Sequence, residues 1–344
     1  MVRLKDIAER AEVSVMTVSK ALRDEPDVSA ATKTRIKALA EQLGYVPDST
    51  AQGLRNRTTK LFGLAVPSSA DPFLCGLVQA IEERAQELGY DLLLAHTGNL
   101  PEREDACVRR FLARRVDGLF ISPVYRLATE ARVYQELLAR RVPTVLLGRP
   151  APFCAQFVCV QADDLAGSAA LTRHLLNLGH RRIAFFAGPP AAPWARERFE
   201  GYRRALRESG ADVEDELVFQ AGSTLEEGAK AAAQMLAESS RATAVQAVND
   251  LVALGCAGVF LERGLRIPRD LSLAGFGNIA LCDCFRVPLT TVRQAKYRLG
   301  SAAVAAMRQL LRGQRPELKP LPAELVVRAS TGVPPPKPWA PAHP

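Results

Sequence analysis

Few side chains in this sequence could carry covalent or metal chemistry, and their spacing does not favour it. The four His residues, His96, His174, His180 and His343, have no metal-like spacing. His180 sits in "LGHRRI", a helix-to-strand turn, and reads as structural. Cys75, Cys107, Cys154, Cys159 and Cys256 lie in apolar surroundings and read as buried free thiols. Cys282 and Cys284 form a C-x-C with no second Cys or His pair at zinc-like spacing. There is no G-x-S-x-G, no Walker A sequence and no G-x-G-x-x-G after a first strand. The sequence therefore supplies no catalytic residue, no metal ligand set and no cofactor motif, and the chain reads as no enzyme.

A different chemistry shows near the N-terminus, in "LKDIAERAEVSVMTVSKAL", Leu4 to Leu22. Leu4, Ile7, Ala8 and Ala11 recur at i, i+3, i+4 and i+7, the stripe of an amphipathic helix. The pattern then resets: Ser14 can cap a second helix whose stripe is Val18, Ala21 and Leu22. Val15, Met16 and Lys20 fall off that stripe, so two apolar side chains and a cation are left facing outward. Isolated helices this short are marginal in water. The formal net charge of +8 makes a polyanionic partner plausible, and the charge is spread along the chain. No apolar run approaches the ~20 residues of a membrane span. Asp6, Glu9, Arg10 and Glu12 interrupt any signal-peptide core, so a cytoplasmic protein is expected.

Three zones position these residues. The first, 1–46, adds a third helix, "SAATKTRIKALAEQLGY", capped by Ser29 and striped by Ile36, Leu39, Ala40 and Leu43, and it supplies the packing that the first two helices lack. The second, 47–58, is polar and basic, with only Ala51 and Leu54 as apolar anchors, and Gly53 weakens any helix there by about 1 kcal/mol. It reads as a linker that becomes helical when something docks on it. The third, 59–332, alternates short apolar runs such as "LFGLAVP", "VPTVLLG" and "RRIAFFAGP" with helical patterns that end in Gly. About ten strands are too many for one doubly wound lobe, so two lobes are expected, with ligands bound beyond the carboxyl ends of their strands. The Pro-rich end, 333–344, should be disordered.

"LKDIAERAEVSVMTVSKAL" followed by "GYVPDSTAQGLR" resembles the DNA-binding head of the lactose/galactose-repressor family of bacterial transcription regulators. The later blocks "DPF", "GHRRIAFFAGP", "RFEGYRRAL", "AVND", "LAGFGN" and "PLTTVRQ" resemble that family's effector-binding core. The resemblance implies an all-α helix-turn-helix DNA-binding head plus an α/β, periplasmic-binding-protein-like core of two doubly wound parallel-sheet lobes. The N-lobe is expected at about 59–160 and 291–322, and the C-lobe at about 161–290 and 323–332.

By the same resemblance, Val15, Met16 and Lys20 read base edges in the major groove, and Thr17, Ser19, Ser29 and Thr32 reach phosphates. Asp48 to Asn56 folds into a hinge helix on DNA, with Leu54 as the minor-groove wedge beside Ala51. The core implies effector contacts from Asp71, Phe73, Trp194, Arg198 and Asn249. Gly148 and Gly277 stand where many sugar-responsive members carry Asp, and Arg149 is expected to point away from the cleft. With two carboxylates gone and Arg198 kept, the cleft is expected to be unusually cationic and roomy. It should then favour an acidic, phosphorylated or bulkier ligand over a neutral monosaccharide. Whatever binds should act through lobe closure. The partners implied are a pseudo-palindromic double-stranded operator and a second copy of the chain, with no membrane. Two other readings stay open: a DNA-binding regulator that is effector-blind or controlled by a protein partner, and, more distantly, a solute-binding sensor.

Overall fold

The computed structural model describes residues 2–46, 58–211, 213–238 and 240–336. The chain forms two compact units, 1–59 and 60–344.

The first unit is three helices, α1 (Leu4–Ala11), α2 (Val15–Leu22) and α3 (Ala30–Gln42). Polar groups set their starts. The Arg3 backbone N–H donates to Asp6 Oδ2 at 2.8 Å, that of Thr17 to Ser14 Oγ at 3.0 Å, and that of Thr32 to Ser29 Oγ at 3.3 Å. Glu12, in left-handed backbone at φ 53°, ends α1 and turns the chain towards α2. Ile7, Ala8, Ala11, Val18, Ala21, Ile36 and Ala40 form one small core with Val28 from the loop before α3. Leu4, Leu22, Leu39 and Leu43 close its rim. Most of these positions are small, so the helices approach closely, and the shared core stabilises segments that would not fold alone.

The second unit holds two sheets. The first joins β1 (Leu61–Val66), β2 (Asp91–His96), β3 (Gly118–Ile121), β4 (Thr144–Leu147) and β5 (Val158–Val160) in the order β2-β1-β3-β4-β5, all parallel. The second joins β6 (Ile183–Ala187), β7 (Val218–Gln220), β8 (Ala244–Ala247), β9 (Ser272–Gly277), β10 (Thr290–Gln294) and β11 (Ala323–Val326) in the order β11-β10-β9-β8-β6-β7. Only the β10–β11 pair is antiparallel. Helices α4 (Pro72–Glu87), α5 (Pro101–Ala113) and α6 (Arg132–Ala139) cover the first sheet. Helices α7 (Asp164–Asn177), α8 (Pro193–Glu208), α9 (Leu225–Ala237) and α10 (Asp250–Glu262), with the short α11 (Leu281–Cys284), accompany the second. Helix α12 (Lys296–Leu311) then returns to the first lobe, where Leu299, Ala303 and Met307 join the core of Phe62, Leu64 and Ile81.

The lobe boundary expected at 291 moves. Thr290, Thr291 and Val292 are buried in the second sheet between β9 and β11, so the chain crosses back at Ala295, just before α12. His180 bears out its structural reading. It is fully buried, with Nδ1 against the Thr243 hydroxyl at 2.8 Å and Nε2 against the Gly332 carbonyl at 2.9 Å. Burial lowers its pKa and keeps it neutral. The chain is thus tied down as far as Gly332. Of the Pro-rich end, 337–344 lies outside the described residues. Two thiols expected inside are not: Cys75 is exposed, on the outer face of α4, and Cys159 is only partly buried.

Candidate functional site

Two surfaces gather the residues singled out above. On the first unit, α2 turns Val18 and Ala21 into the core and leaves Val15 at 44% and Met16 at 59% exposed. Lys20, on the same helix, is held by an ion pair with Asp27, whose carboxyl the ammonium keeps below its ordinary pKa. The Thr17 hydroxyl lies 2.9 Å from Ser14 Oγ, and that of Thr32 lies 2.8 Å from Ser29 Oγ. The hydroxyls thus brace the starts of α2 and α3. Ser19 is half-buried on α2. Ala51 and Leu54 lie outside the described residues.

The second surface is a cavity of about 230 Å³ between the lobes of the larger unit. Six of the seven expected effector residues line it: Asp71, Phe73, Gly148, Trp194, Arg198 and Asn249. Each comes from a strand-end loop or the first two turns of the following helix, as open parallel sheets require. Asp71 caps α4 by accepting the Phe73 N–H at 2.9 Å, and burial raises its pKa. Asn249 caps α10: its Oδ1 accepts the Val252 N–H at 2.8 Å and its Nδ2 donates to the Ser223 carbonyl at 2.9 Å. Much of the Asn249 amide is therefore spent on the fold.

Arg198 is not a free cation. Its Nε and Nη2 donate to Asp164 Oδ2 at 3.0 and 2.9 Å, and its Nη1 donates to the Val248 carbonyl at 2.8 Å. The guanidinium also lies 3.9 Å from the Phe276 ring centroid and 4.8 Å from that of Trp194, so Trp194 stacks on the arginine. Arg149, expected to point away, lines the cavity and bridges the lobes in an ion pair with Glu197 at 2.6 Å. The bridge forms because the loop after β4 and the N-terminal part of α8 face each other across the opening. Burial pushes the Glu197 carboxyl up to about 7, against the pull of Arg149.

Gly148 and Gly277 do not leave vacated room. They sit at φ +113° and +130°, where side-chain-bearing residues are rarely found. A Cβ on Gly148 would lie 3.1 Å from the Tyr125 hydroxyl, and one on Gly277 would lie 3.1 Å from Asp250 Oδ2. Tyr125 and Asp250 thus take up the space. Gly277 itself contributes its carbonyl, which accepts from Lys296 Nζ at 2.9 Å. The expected cationic cleft is corrected as well. Asp71, Asp164, Glu197 and Asp250 line it against only Arg149 and Arg198, and both guanidiniums are already paired. Asp164 and Asp250 are almost wholly buried, which raises their pKa values. Arg198 and Gln294 oppose the shift at Asp164, and Thr291 and the Ile279 N–H oppose it at Asp250. Sequence reasoning missed Glu197, Asp164, Asp250, Tyr125 and Gln294. Among the described residues no three His, Cys, Asp or Glu side chains group as metal ligands, and no helix is long and apolar enough to cross a membrane.

The chain matches two families: "Bacterial regulatory proteins, lacI family" over residues 3–48, and "Periplasmic binding protein-like domain" over residues 172–331. It is similar to the HTH-type transcriptional repressor PurR of Photobacterium profundum, with 32% identity across 96% of this chain and 98% of the relative. It is also similar to the HTH-type transcriptional regulator DegA of Bacillus subtilis, with 30% identity across 95% and 97%. Among solved structures, the Lac repressor dimer bound to operator and the anti-inducer ONPF superposes with a TM-score of 0.85 and 31% identity, covering 96% of this chain and 99% of that one.

Proposed function

Because this chain belongs to the LacI family of bacterial regulatory proteins and is a DNA-binding transcription regulator, we propose that its two units divide the labour of regulation. The head reads an operator as a homodimer, and the core sets operator affinity by binding a small effector. The observation that carries the first half is the α2 face, where Val15 and Met16 are exposed with no core role beside Lys20. In a helix-turn-helix the N-terminal residues of such a helix meet base edges. The two apolar side chains suit thymine methyls, and Lys20, once released from Asp27, suits guanine O6 or N7. Two heads on one pseudo-palindrome share a single binding event, so a modest face reaches useful affinity. The solved relative bound to operator is itself a dimer.

The core's cavity supports an effector different from the one that sequence reasoning favours. Four carboxyl groups stand against two guanidiniums that are already paired, so an anionic ligand meets no free cation among the lining residues. A neutral ring compound fits better. Phe73 and Trp194 offer apolar faces, and Asp71, Ser122, Ser223 and Gln161 offer hydrogen-bonding groups. It acts by shifting lobe closure, which the Arg149–Glu197 bridge resists or permits. The test is fluorescence anisotropy of an operator complex during titration with neutral sugars and N-heterocycles, each beside its phosphorylated or carboxylated counterpart. Neutral members should change operator affinity at lower concentration. A stronger response to the acidic counterparts would overturn this reading, and silence from the whole panel would favour the effector-blind regulator.

A further inference from the structure

We infer that Gln294 is the specificity-determining acceptor of the cavity: its Oε1 takes a hydrogen bond from an O–H or N–H of the effector. This rests on the core being an effector site. Gln294 ends β10 where the chain crosses between lobes, lines the cavity, and is 6% exposed. Its Nε2 donates to Asp164 Oδ1 at 2.7 Å. Its Oε1 is buried and has no hydrogen-bond partner among the described residues.

The amide cannot simply turn over to cure this. Asp164 Oδ2 takes two N–H groups from Arg198, which holds the carboxylate as an acceptor. A carboxylate acceptor demands the NH2 end of Gln294, so the carbonyl end must face away from it. A buried carbonyl oxygen without a donor is disfavoured, and a ligand that brings a donor is rewarded twice, by the new bond and by relief of the orphan. An ether oxygen, carboxylate or phosphate at the same point would set acceptor against acceptor. The relay Arg198–Asp164–Gln294 therefore converts a buried cation into a requirement for a donor on the ligand. Because Asp164 begins α7 and Gln294 precedes α12, both directly beside chain crossings, the same contact sits at the pivot of the lobes.

The experiment uses the full chain and matched probes: neutral pyranoses, furanosides and N-heterocycles, each with its O-methyl or N-methyl counterpart. Calorimetry compares the wild type with Gln294→Met, which keeps the length and removes the acceptor. For at least one probe the wild type should prefer the donor-bearing form by about ten- to a hundredfold over its methylated partner. Gln294→Met should erase that preference while still binding the methylated form. A preference unchanged in Gln294→Met overturns the proposal and leaves the effector site standing. Binding by no probe at all overturns both. Should Gln294→Met fail to fold, Gln294→Glu serves: it is close in shape and at low pH presents a carbonyl to the cavity. It must then retain the donor preference at low pH, where its OH end still donates to Asp164; a preference that is absent there counts against the proposal.

Discussion

Gly277→Ala should destabilise the core by about 2–4 kcal/mol, a large effect for one methyl group. At φ +130° the backbone is in a region that side chains rarely adopt, and holding alanine there costs roughly 1–3 kcal/mol. The new Cβ would also lie 3.1 Å from Asp250 Oδ2. That carboxylate cannot yield freely, because it accepts the Thr291 hydroxyl and, at 3.0 Å, the Ile279 N–H. Loosening either bond adds about 1 kcal/mol. Gly210→Ala is the control. Its φ is +76°, but nothing lies within 4 Å of the added Cβ, so only backbone strain of about 1 kcal/mol applies. Gly277→Asp should be worse than Gly277→Ala, since a second carboxylate would meet Asp250. Urea unfolding followed by circular dichroism reads the core transition for all three. Equal losses for Gly277→Ala and Gly210→Ala would refute the claim that Asp250 occupies the space beside Gly277.

Three further outcomes follow from the same structure. The raised pKa of Glu197, about 7 against an ordinary 4.5, means that the fold favours the protonated acid. Its contribution to stability is therefore full below about pH 4.5 and is lost as pH rises through about 7, on the order of 3 kcal/mol. Glu197→Gln should flatten that part of the pH dependence in urea titrations at pH 5 and pH 8, and curves of unchanged slope would count against it. Lys20→Ala should relax specificity at one or two base pairs per half-site by about 1–3 kcal/mol, whereas Asp27→Asn, which releases Lys20, should tighten binding to all duplexes; competition binding separates the two. Leu54→Ala should weaken specific binding by about 1–3 kcal/mol and nonspecific binding far less, and an equal loss of both would reduce the hinge to a tether.

The head was legible almost in full, because its three helices are short, capped by Ser14 and Ser29, and striped at helical spacing. What escaped was Val28, a loop residue outside any periodic pattern that nonetheless closes the core. In the larger unit, long apolar runs such as "LFGLAV" announced their strands. The strand Asp91–His96 did not, since it sits at a sheet edge and exposes Leu94. Thr290–Gln294 hid for the opposite reason: its threonines are polar by type yet buried, with hydroxyls bonded inside the second lobe. The cavity's location was legible from strand-end loops, but its electrostatics were not. Whether Arg198 is free or paired depends on Asp164, and the two meet only in three dimensions. The glycines misled for a related reason. A missing side chain reads as empty space in a sequence, while the fold had already placed Tyr125 and Asp250 there.

The measurement that tests the central claim most directly is selection of duplexes bound by the full chain from a random pool. A homodimeric operator-binding regulator should enrich a pseudo-palindrome of two half-sites, and alanine at Val15, Met16 and Lys20 together should abolish that enrichment. Recovery of no sequence above the input pool, or of the same motif by the triple variant, would contradict the account.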